Sequence, residues 1–402
     1  TLVSKAGAVA RSEAGEVEQM GHPDPLALLR TALGEASAPI ADLPFSGGAI
    51  GFLGYDLIRS YGVLPPRSGL ADWPDMAVGL YDWAVVVDHA RQRSYFVRQG
   101  RDRRDHAGWQ SALRRLLAVS AAPGAVPEVR GTLLESGMSF ADYARDFEQI
   151  QRYIGDGDCY QVNFSQRFKA RIGCDAWTLY QRMRRDNPAP YGALLEYPFG
   201  QLLSSSPEQF LSLRDGRAQT RPIKGTRPRG SSAVQDLALR AQLLSSEKDR
   251  AENLMIVDLL RNDLGRVCEP GSIEVPDMFQ VESFATVHHL VSTVTGRLRT
   301  GQDALDLIGA CFPGGSITGA PKRRAMQIID ELEPVRREAY CGNIIRLGFD
   351  GGLDSSITIR TLLMQHDTLY YWAGGGIVAD SDCAAEYQES LDKAAAFLRL
   401  LD

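Results

Sequence analysis

The stretch Phe312-Pro-Gly-Gly-Ser-Ile-Thr-Gly-Ala-Pro-Lys322 lies between two segments with a helical pattern, Ala304–Cys311 and Pro321–Leu332. Its glycines are typical of an anion cradle that leads into a helix, and Pro321 suits the first turn of that helix because its missing N–H would be unpaired there. Ala320 stands where a Walker loop requires Lys followed by Ser or Thr, so nucleoside triphosphate binding is disfavoured. A plain glycine-rich turn is an equally well supported alternative for this stretch alone.

On both sides of this stretch, predicted strands come in runs and predicted helices come in runs of their own. The predicted strands are Gln161–Ala170, several within Tyr191–Leu213, Gly342–Phe349, Ser356–Met364 and Thr368–Ala373. The further predicted helices are Ala107–Val119, Phe140–Gly155, Trp177–Arg185, Glu247–Leu264 and Ala384–Leu400. This segregation favours a mixed α+β fold over an alternating doubly wound sheet.

The N-terminal part of the chain contains short predicted strands broken by glycine turns, at Ala49–Tyr55, Met76–Tyr81 and Ala84–Val87. Ala121–Gly131 is the best linker candidate, because its two prolines and two glycines leave no helical or strand period. We therefore expect an N-terminal α+β region over residues 1–135 and a second region over residues 136–402.

Bulk composition excludes several classes of function. With 44 basic and 50 acidic residues among 402, and no long Lys/Arg run, the chain lacks the positive surface that a nucleic-acid partner would need. The six cysteines show no zinc spacing and no disulfide framework, which indicates a reducing compartment. No apolar run suits a membrane span and no secretory signal precedes the fold, so a cytoplasmic protein is expected.

Two helices each carry a pair of carboxylates three residues apart. Asp249 and Glu252 lie on the long predicted helix, and Glu386 and Glu389 lie on the last one, so each pair shares a helix face. If the two faces met, their oxygens would suit Mg²⁺. For either pair alone, a solvated helix surface is the more probable alternative, and Ser246 as N-cap would also explain Asp249.

Lys224, in Arg221-Pro-Ile-Lys-Gly-Thr226, is a candidate nucleophile, since a lysine confined in a site can lose its proton and attack an electrophile. An ordinary lysine in an exposed loop is the alternative. His289 has no metal-binding HExxH pattern around it, so it is either a general acid or a core histidine.

The segments near the C-terminus offer groups that could bind carboxylates. Arg360 is predicted on a strand with Thr358, on the face opposite the isoleucines, where it could clamp a carboxylate or, as an edge residue, face solvent. Gly374, Gly375 and Gly376 follow a predicted strand and would let backbone amides approach an anion.

Five motifs taken together resemble those of the chorismate-utilising enzymes, and the resemblance covers nearly the whole chain. The motifs are Pro222–Thr226, Asp249–Asp263, His289–Ser292, Gly315–Lys322 and Gly374–Ser381. The resemblance implies a large two-subdomain α+β body in which antiparallel sheets pack face to face with helices on the outside. It also implies that the first strands of the family are missing before Thr1, and that Asn187–Tyr191 is part of an amino-acid pocket that can bind tryptophan in relatives.

The resemblance assigns a role to each candidate residue. Glu252 and Glu389 would ligate Mg²⁺, Asp249 and Glu386 would hold its waters, and the ion would hold the ring carboxylate of chorismate. Tyr340 and Arg360 would bind the enolpyruvyl carboxylate, helped by backbone amides of Gly374, Gly375 and Gly376, and Lys393 would also bind the substrate. His289 and Ser316 would lie near the departing hydroxyl, with His289 favoured as the proton donor.

Two positions decide the chemistry that this resemblance implies. Relatives that add water carry a lysine base where this chain has Gln161, and relatives that make anthranilate carry alanine where it has Lys224. The resemblance therefore implies that Lys224 attacks C2 of chorismate and that ammonia then attacks C4, giving 4-amino-4-deoxychorismate. Ammonia would come from a separate glutamine amidotransferase subunit, and a separate lyase would complete p-aminobenzoate for folate. The alternatives are anthranilate formation and a non-catalytic protein that binds chorismate or an amino acid.

Overall fold

Two antiparallel sheets dominate the computed structural model, which describes residues 1–5, 8–13, 16–20, 24–40, 42–101, 108–118 and 128–401. The first strands are β1 Leu2–Lys5, β2 Ala8–Glu13, β3 Glu16–Met20, β4 Gly48–Leu53, β5 Met76–Tyr81, β6 Trp83–Asp88, β7 Arg93–Arg98, β8 Gly131–Glu135, β9 Gln161–Ile172, β10 Tyr191–Tyr197 and β11 Gly200–Ser206. The later strands are β12 Gln209–Arg214, β13 Arg217–Thr220, β14 Ile223–Pro228, β15 Glu274–Ser283, β16 Val287–Arg297, β17 Gly319–Ala320, β18 Asn343–Gly348, β19 Leu353–Ile357, β20 Thr361–Gln365 and β21 Thr368–Ile377.

Seven of the nine helices that the structure describes begin at a residue whose side chain caps the first turn. The nine helices are α1 Pro25–Leu33, α2 Gly108–Ala118, α3 Phe140–Gly155, α4 Ala176–Asp186, α5 Ala233–Ser245, α6 Glu247–Gly265, α7 Ala304–Cys311, α8 Lys322–Leu332 and α9 Cys383–Leu398. The Ser139 side chain accepts from the N–H of Asp142 at the start of α3, and the Ser246 side chain accepts from the N–H of Asp249 at the start of α6. Each cap satisfies a backbone donor that the helix leaves unpaired.

The larger sheet has 12 strands in the order β14-β16-β13-β12-β19-β18-β4-β5-β1-β2-β3, with β15 also paired to β16. Because β4 pairs with β18, this sheet joins strands from both sides of residue 135. The domain boundary at that residue stays a prediction, and residues 121–127 of the proposed linker lie outside the described residues. The second sheet has seven strands in the order β10-β11-β20-β21-β9-β17, with β8 also paired to β9.

The core lies between the two sheets. One buried cluster combines Phe52 and Ile345 of the larger sheet with Leu202 and Trp372 of the second sheet. Burying side chains of this size stabilises a fold by about 1.5–3 kcal/mol each. A further cluster packs α4 and α9 on the opposite face of the second sheet, where Phe397 stacks on Tyr371 with ring centroids 5.0 Å apart. The expected α+β body of face-packed antiparallel sheets with outer helices is confirmed.

Two strand predictions near the C-terminus were wrong. The strand expected over Ser356–Met364 is broken, because β19 belongs to the larger sheet and β20 to the second, and the chain crosses between the sheets at residues 358–360. The strand expected to end at Ala373 continues as β21 to Ile377, through all three glycines, because each of them pairs with β9. Within the described ranges, no helix is both long and apolar enough to cross a membrane.

Candidate functional site

Lys224 lies on β14 at an irregularity in the strand pairing. The register of β14 with β16 shifts between Ile223 and Thr226, which takes Lys224 out of the regular ladder. Gly225 has φ 85°, and a Cβ there would lie 2.9 Å from the Leu243 side chain, so this position requires glycine. The half-buried Lys224 Nζ donates a hydrogen bond to the backbone carbonyl of Ser316 over 3.3 Å. The irregularity in β14 thus directs the candidate nucleophile toward the glycine-rich stretch Phe312–Lys322.

Glu208 is a site residue that the sequence analysis missed. It is buried, and its Oε1 accepts a 2.7 Å hydrogen bond from the Ser316 hydroxyl. Burial raises the pKa of Glu208 to about 7, although the Ser316 hydrogen bond and the charge of Lys224 act against this rise. The available signal was an acidic residue two positions after β11, in Ser206-Pro-Glu208, but nothing in the sequence connects this residue with Ser316.

His289 lies on β16 beside β14. Its Nδ1 is hydrogen-bonded to Thr226 Oγ1 over 2.9 Å, and its ring lies 5.5 Å from the ring of Phe284. Burial, together with the positive charge of Arg360, lowers the pKa of His289 to about 4. This imidazole is therefore neutral near pH 7.

Arg360 was expected on a strand, and this expectation was wrong. It occupies the crossing between β19 and β20 with φ 50°, and its carbonyl accepts from the N–H of Ser205. Its charge nevertheless opposes the rise in the pKa of Glu208 and helps to lower the pKa of His289, so the guanidinium lies within electrostatic range of both. Lys224, Ser316 and these three residues therefore form one group of polar side chains.

Gly374, Gly375 and Gly376 lie in β21 opposite β9. An added Cβ at Gly374 would lie 2.1 Å from the Phe164 carbonyl oxygen, and one at Gly375 would lie 3.1 Å from Glu386 Oε2. Glycine is thus required for close packing as well as for access to the backbone. Pairing between β20 and β21 ends at Tyr371, so the backbone of the glycine segment is paired with a described strand on the β9 side alone.

The Lys393 side chain is bound by two groups of the protein. Its Nζ donates to the Gly374 carbonyl over 2.8 Å and forms a 2.7 Å ion pair with Glu389. Tyr340 is buried in the core and stacks on Trp372 of β21, with ring centroids 6.2 Å apart. Both residues thus contact β21 close to the glycines.

The four predicted metal-binding carboxylates lie on α6 and α9. Asp249 forms a 2.9 Å ion pair with Arg227, and Glu386 accepts a 2.7 Å hydrogen bond from Ser381. Among the described residues, no three His, Cys, Asp or Glu side chains converge as a preformed metal site. The charge of Glu386 on α9 acts on Glu252 of α6, so the two pairs lie within electrostatic range of each other without forming a closed ligand set.

The charges around these four carboxylates are nonetheless compatible with Mg²⁺. Burial, with added repulsion from Asp249 and Glu386, raises the pKa of Glu252. Burial opposes the ionised form of Glu389 too, but Lys393, Lys248 and Lys224 hold its pKa below the usual value. A hard cation with oxygen ligands would offset the repulsion around Glu252, so the donor set fits magnesium.

Gln161 begins β9 and packs against Gly376, where an added Cβ would lie 2.9 Å from Gln161 Nε2. It is fully buried, and neither atom of its carboxamide has a hydrogen-bond partner among the described residues. A carboxamide has no basic group that could deprotonate water.

A comparison of the chain with protein families gives a match that is consistent with this fold and these side chains. Residues 3–399 match the model of the chorismate binding enzymes, and the chain belongs to that family. It is thus a chorismate-utilising enzyme.

Within this family, the chain is similar to proteins of two named types. The chain is 50% identical to aminodeoxychorismate synthase component 1 of Klebsiella aerogenes, across 100% of this chain and 88% of the relative. It is 46% identical to the protein of the same name from Escherichia coli, across 94% and 83% of the two chains. The crystal structure of anthranilate synthase component I from Streptococcus pneumoniae superposes with a TM-score of 0.83 at 33% identity, covering 98% of this chain and 90% of that one.

Proposed function

We propose that this chain replaces the C4 hydroxyl of chorismate with an amino group to give 4-amino-4-deoxychorismate. The observation that carries the proposal is the position of Lys224, whose Nζ contacts the Ser316 carbonyl beside Glu208 and His289. Identities of 46–50% to proteins named aminodeoxychorismate synthase component 1 support the same assignment. The product would serve as the precursor of p-aminobenzoate for folate, after a separate lyase removes pyruvate.

The first chemical step forms a bond between the deprotonated Nζ of Lys224 and C2 of chorismate. The two ring double bonds shift from C1–C2 and C5–C6 to C1–C6 and C4–C5, the C4–O bond breaks, and the hydroxyl leaves as water after accepting a proton. In the second step ammonia bonds to C4, both double bonds shift back, and the C2–N bond breaks to return the Lys224 amine. Splitting the displacement in this way uses lysine as a covalent catalyst. The net reaction consumes chorismate and ammonia and yields 4-amino-4-deoxychorismate and water.

We assign proton donation to Glu208 in preference to His289. A carboxyl with a pKa of about 7 is still partly protonated near neutral pH and can protonate a leaving hydroxyl. A histidine with a pKa of about 4 carries almost no imidazolium at that pH. The Ser316 hydroxyl, which already bonds Glu208, would hold the carboxyl in position.

Substrate carboxylates would bind at two places in this proposal. The enolpyruvyl carboxylate would pair with Arg360 and with backbone amides of β21 between Gly374 and Gly376. These amides would be those on the edge of β21 away from β9, where no described strand pairs with the glycines. Mg²⁺ would be held by Glu252 and Glu389, with Asp249 and Glu386 acting through water. Its role would be to neutralise the ring carboxylate and the carboxylates around it.

Ammonia would be supplied by a separate glutamine amidotransferase. The relatives are named component 1, which implies a second component for those proteins. Gln161 supports ammonia as the nucleophile, because a buried carboxamide cannot act as the base that water would require.

The test is to incubate the chain with chorismate, Mg²⁺ and ammonium, with and without an aminodeoxychorismate lyase, and to separate the products. The proposal expects p-aminobenzoate only when the lyase is present, and a Lys224 adduct detectable by mass spectrometry. Lys224→Arg is the matched control, because arginine keeps the positive charge but does not deprotonate in proteins. Anthranilate formed without lyase would instead assign the chain to the anthranilate-forming type. Anthranilate formation is the main alternative function, because the chain superposes on the S. pneumoniae anthranilate synthase component I.

A further inference from the structure

Helix α5 leaves most of its surface uncovered. Of its 13 residues, Leu243 is the buried one, whereas Leu237 is 65% exposed and Leu244 is 49% exposed. Arg240 lies between these two leucines at helical spacing, so all three side chains share one side of the helix. Large exposed apolar side chains grouped with cations are typical of a protein contact surface.

The neighbouring segments extend this surface. Arg240, Leu244, Arg250 of α6 and Met278 of β15 line a depression of about 380 Å³. We call the surface made by Leu237, Arg240, Leu244, Arg250 and Met278 the α5 face. Its two arginines form no ion pair with any carboxylate in the part of the chain that the structure describes.

The backbone of β15 is distorted beside this face. The pairing of β15 with β16 shifts register on both sides of Asp277, and Phe279 has φ 57°, which is uncommon for a residue with a side chain. This conformation places the Phe279 ring under Arg250, with the guanidinium carbon 5.0 Å from the ring centroid. Such backbone strain concentrates at functional positions.

The α5 face covers the strand that carries the nucleophile. Helix α5 packs on β14 and β16, and the buried Leu243 lies against Gly225, the residue next to Lys224. A protein bound to the outer side of α5 would therefore be separated from β14, the strand that carries Lys224, by the width of one helix, about 10 Å. This is a suitable position for a source of ammonia, which must reach C4 without escaping to solvent.

We infer that the α5 face is the docking surface for the glutamine amidotransferase, through a partner surface of carboxylates and apolar side chains. The inference rests on the proposed function, which requires such a partner. Both charged groups of the face are arginines, so two copies packed face to face would bring like charges together, whereas acidic partner groups would neutralise them. A stable complex buries about 800 Å² on each side, so the α5 face would form the centre of a larger contact.

The test compares two nitrogen sources in one enzyme. The double variant Leu237→Asp, Arg240→Glu is assayed with chorismate and the lyase, using either glutamine with the amidotransferase or ammonium alone. We expect glutamine-dependent turnover to fall about tenfold or more. Ammonium-dependent turnover should stay within about twofold, because neither side chain belongs to the group of polar side chains around Lys224. Affinity for the amidotransferase, measured by calorimetry, should fall by a similar factor. Leu117→Asp is the control, since Leu117 of α2 is 78% exposed and lies outside the face.

Unchanged glutamine-dependent turnover in the double variant would overturn the inference. Equal loss with both nitrogen sources would also overturn it, because the face would then act on the reaction itself. If the unaltered chain uses ammonium but gains nothing from glutamine and the amidotransferase, the docking inference fails while the proposed amination stands. If the unaltered chain uses neither source, the proposed function itself fails. A dimer of this chain that the double substitution dissociates would assign the face to a second copy and so overturn the inference.

Discussion

The substitution Glu208→Gln tests whether this buried carboxyl is held in its protonated form. Its pKa of about 7 in the folded protein, against an ordinary value of 4.5, means that the folded state binds this proton more tightly than the unfolded state does. At about 1.4 kcal/mol for each tenfold change in the binding constant, ionising Glu208 costs the fold on the order of 3 kcal/mol. The cost is absent below pH 4.5, grows as pH rises, and is complete above pH 7.

Glutamine cannot ionise, so the variant avoids this cost. The free energy of unfolding of Glu208→Gln, relative to the unaltered chain, should therefore rise by about 3 kcal/mol between pH 4.5 and about pH 8. Urea unfolding at a series of pH values measures this difference, in which the titration of all other groups cancels. Glu196→Gln, at an exposed position on β10, is the control for the substitution itself.

A flat difference for Glu208→Gln would refute the argument that burial holds this carboxyl protonated. The same variant also tests proton donation, because replacing a general acid lowers kcat by about 10²–10⁴-fold. Chorismate binding should be kept, since glutamine preserves the shape of the side chain. A kcat within twofold of the unaltered enzyme would return the role of proton donor to His289.

Three further outcomes are expected. Lys224→Ala should lower amination by about a thousandfold or more and abolish the covalent adduct, as measured by product chromatography and intact mass. Glu386→Gln should raise the Mg²⁺ concentration required for half-maximal turnover by about ten- to a hundredfold, because outer ligands of a metal contribute this much to affinity. Arg360→Met should raise the pKa of His289 above about 4, since it removes a positive charge that disfavours the imidazolium, and an NMR titration of the ring measures the change.

Much of the fold could be predicted from local patterns. The helix expected over Phe140–Gly155 is found with those bounds, and Ser246 caps α6 as proposed. These elements depend on a period of apolar residues and on a capping side chain within a few positions, which a sequence displays directly. The order of strands in the two sheets depends on contacts between distant segments, which no local pattern records. The resemblance implied antiparallel sheets packed face to face, but not this order.

Some residues of the candidate site were predicted and one was missed, again because contacts between distant segments leave no local pattern. Motif similarity named Lys224, His289 and Ser316, and the structure brings all three together with Arg360. Glu208 was missed because its role depends on a hydrogen bond to a residue 108 positions away and on burial in the assembled core. Neither property is visible in the residues that flank it.

The wrong prediction for Arg360 shows how the fold supplies part of this site. A period of two placed Thr358 and Arg360 on one strand face, but the buried Thr358 hydroxyl donates to the Ala339 carbonyl, and Arg360 adopts φ 50°. That conformation costs a residue with a side chain on the order of 1–3 kcal/mol. The chain must leave the larger sheet after β19 and enter the second sheet at β20, so a regular strand through Arg360 would have kept its guanidinium within one sheet. The crossing instead places this charge where it acts on His289 of the larger sheet, on Tyr371 of the second sheet, and on Glu208 in the link between β11 and β12. The strain at Arg360 is therefore best explained as the cost of placing one cation between the two sheets, where the reacting group lies.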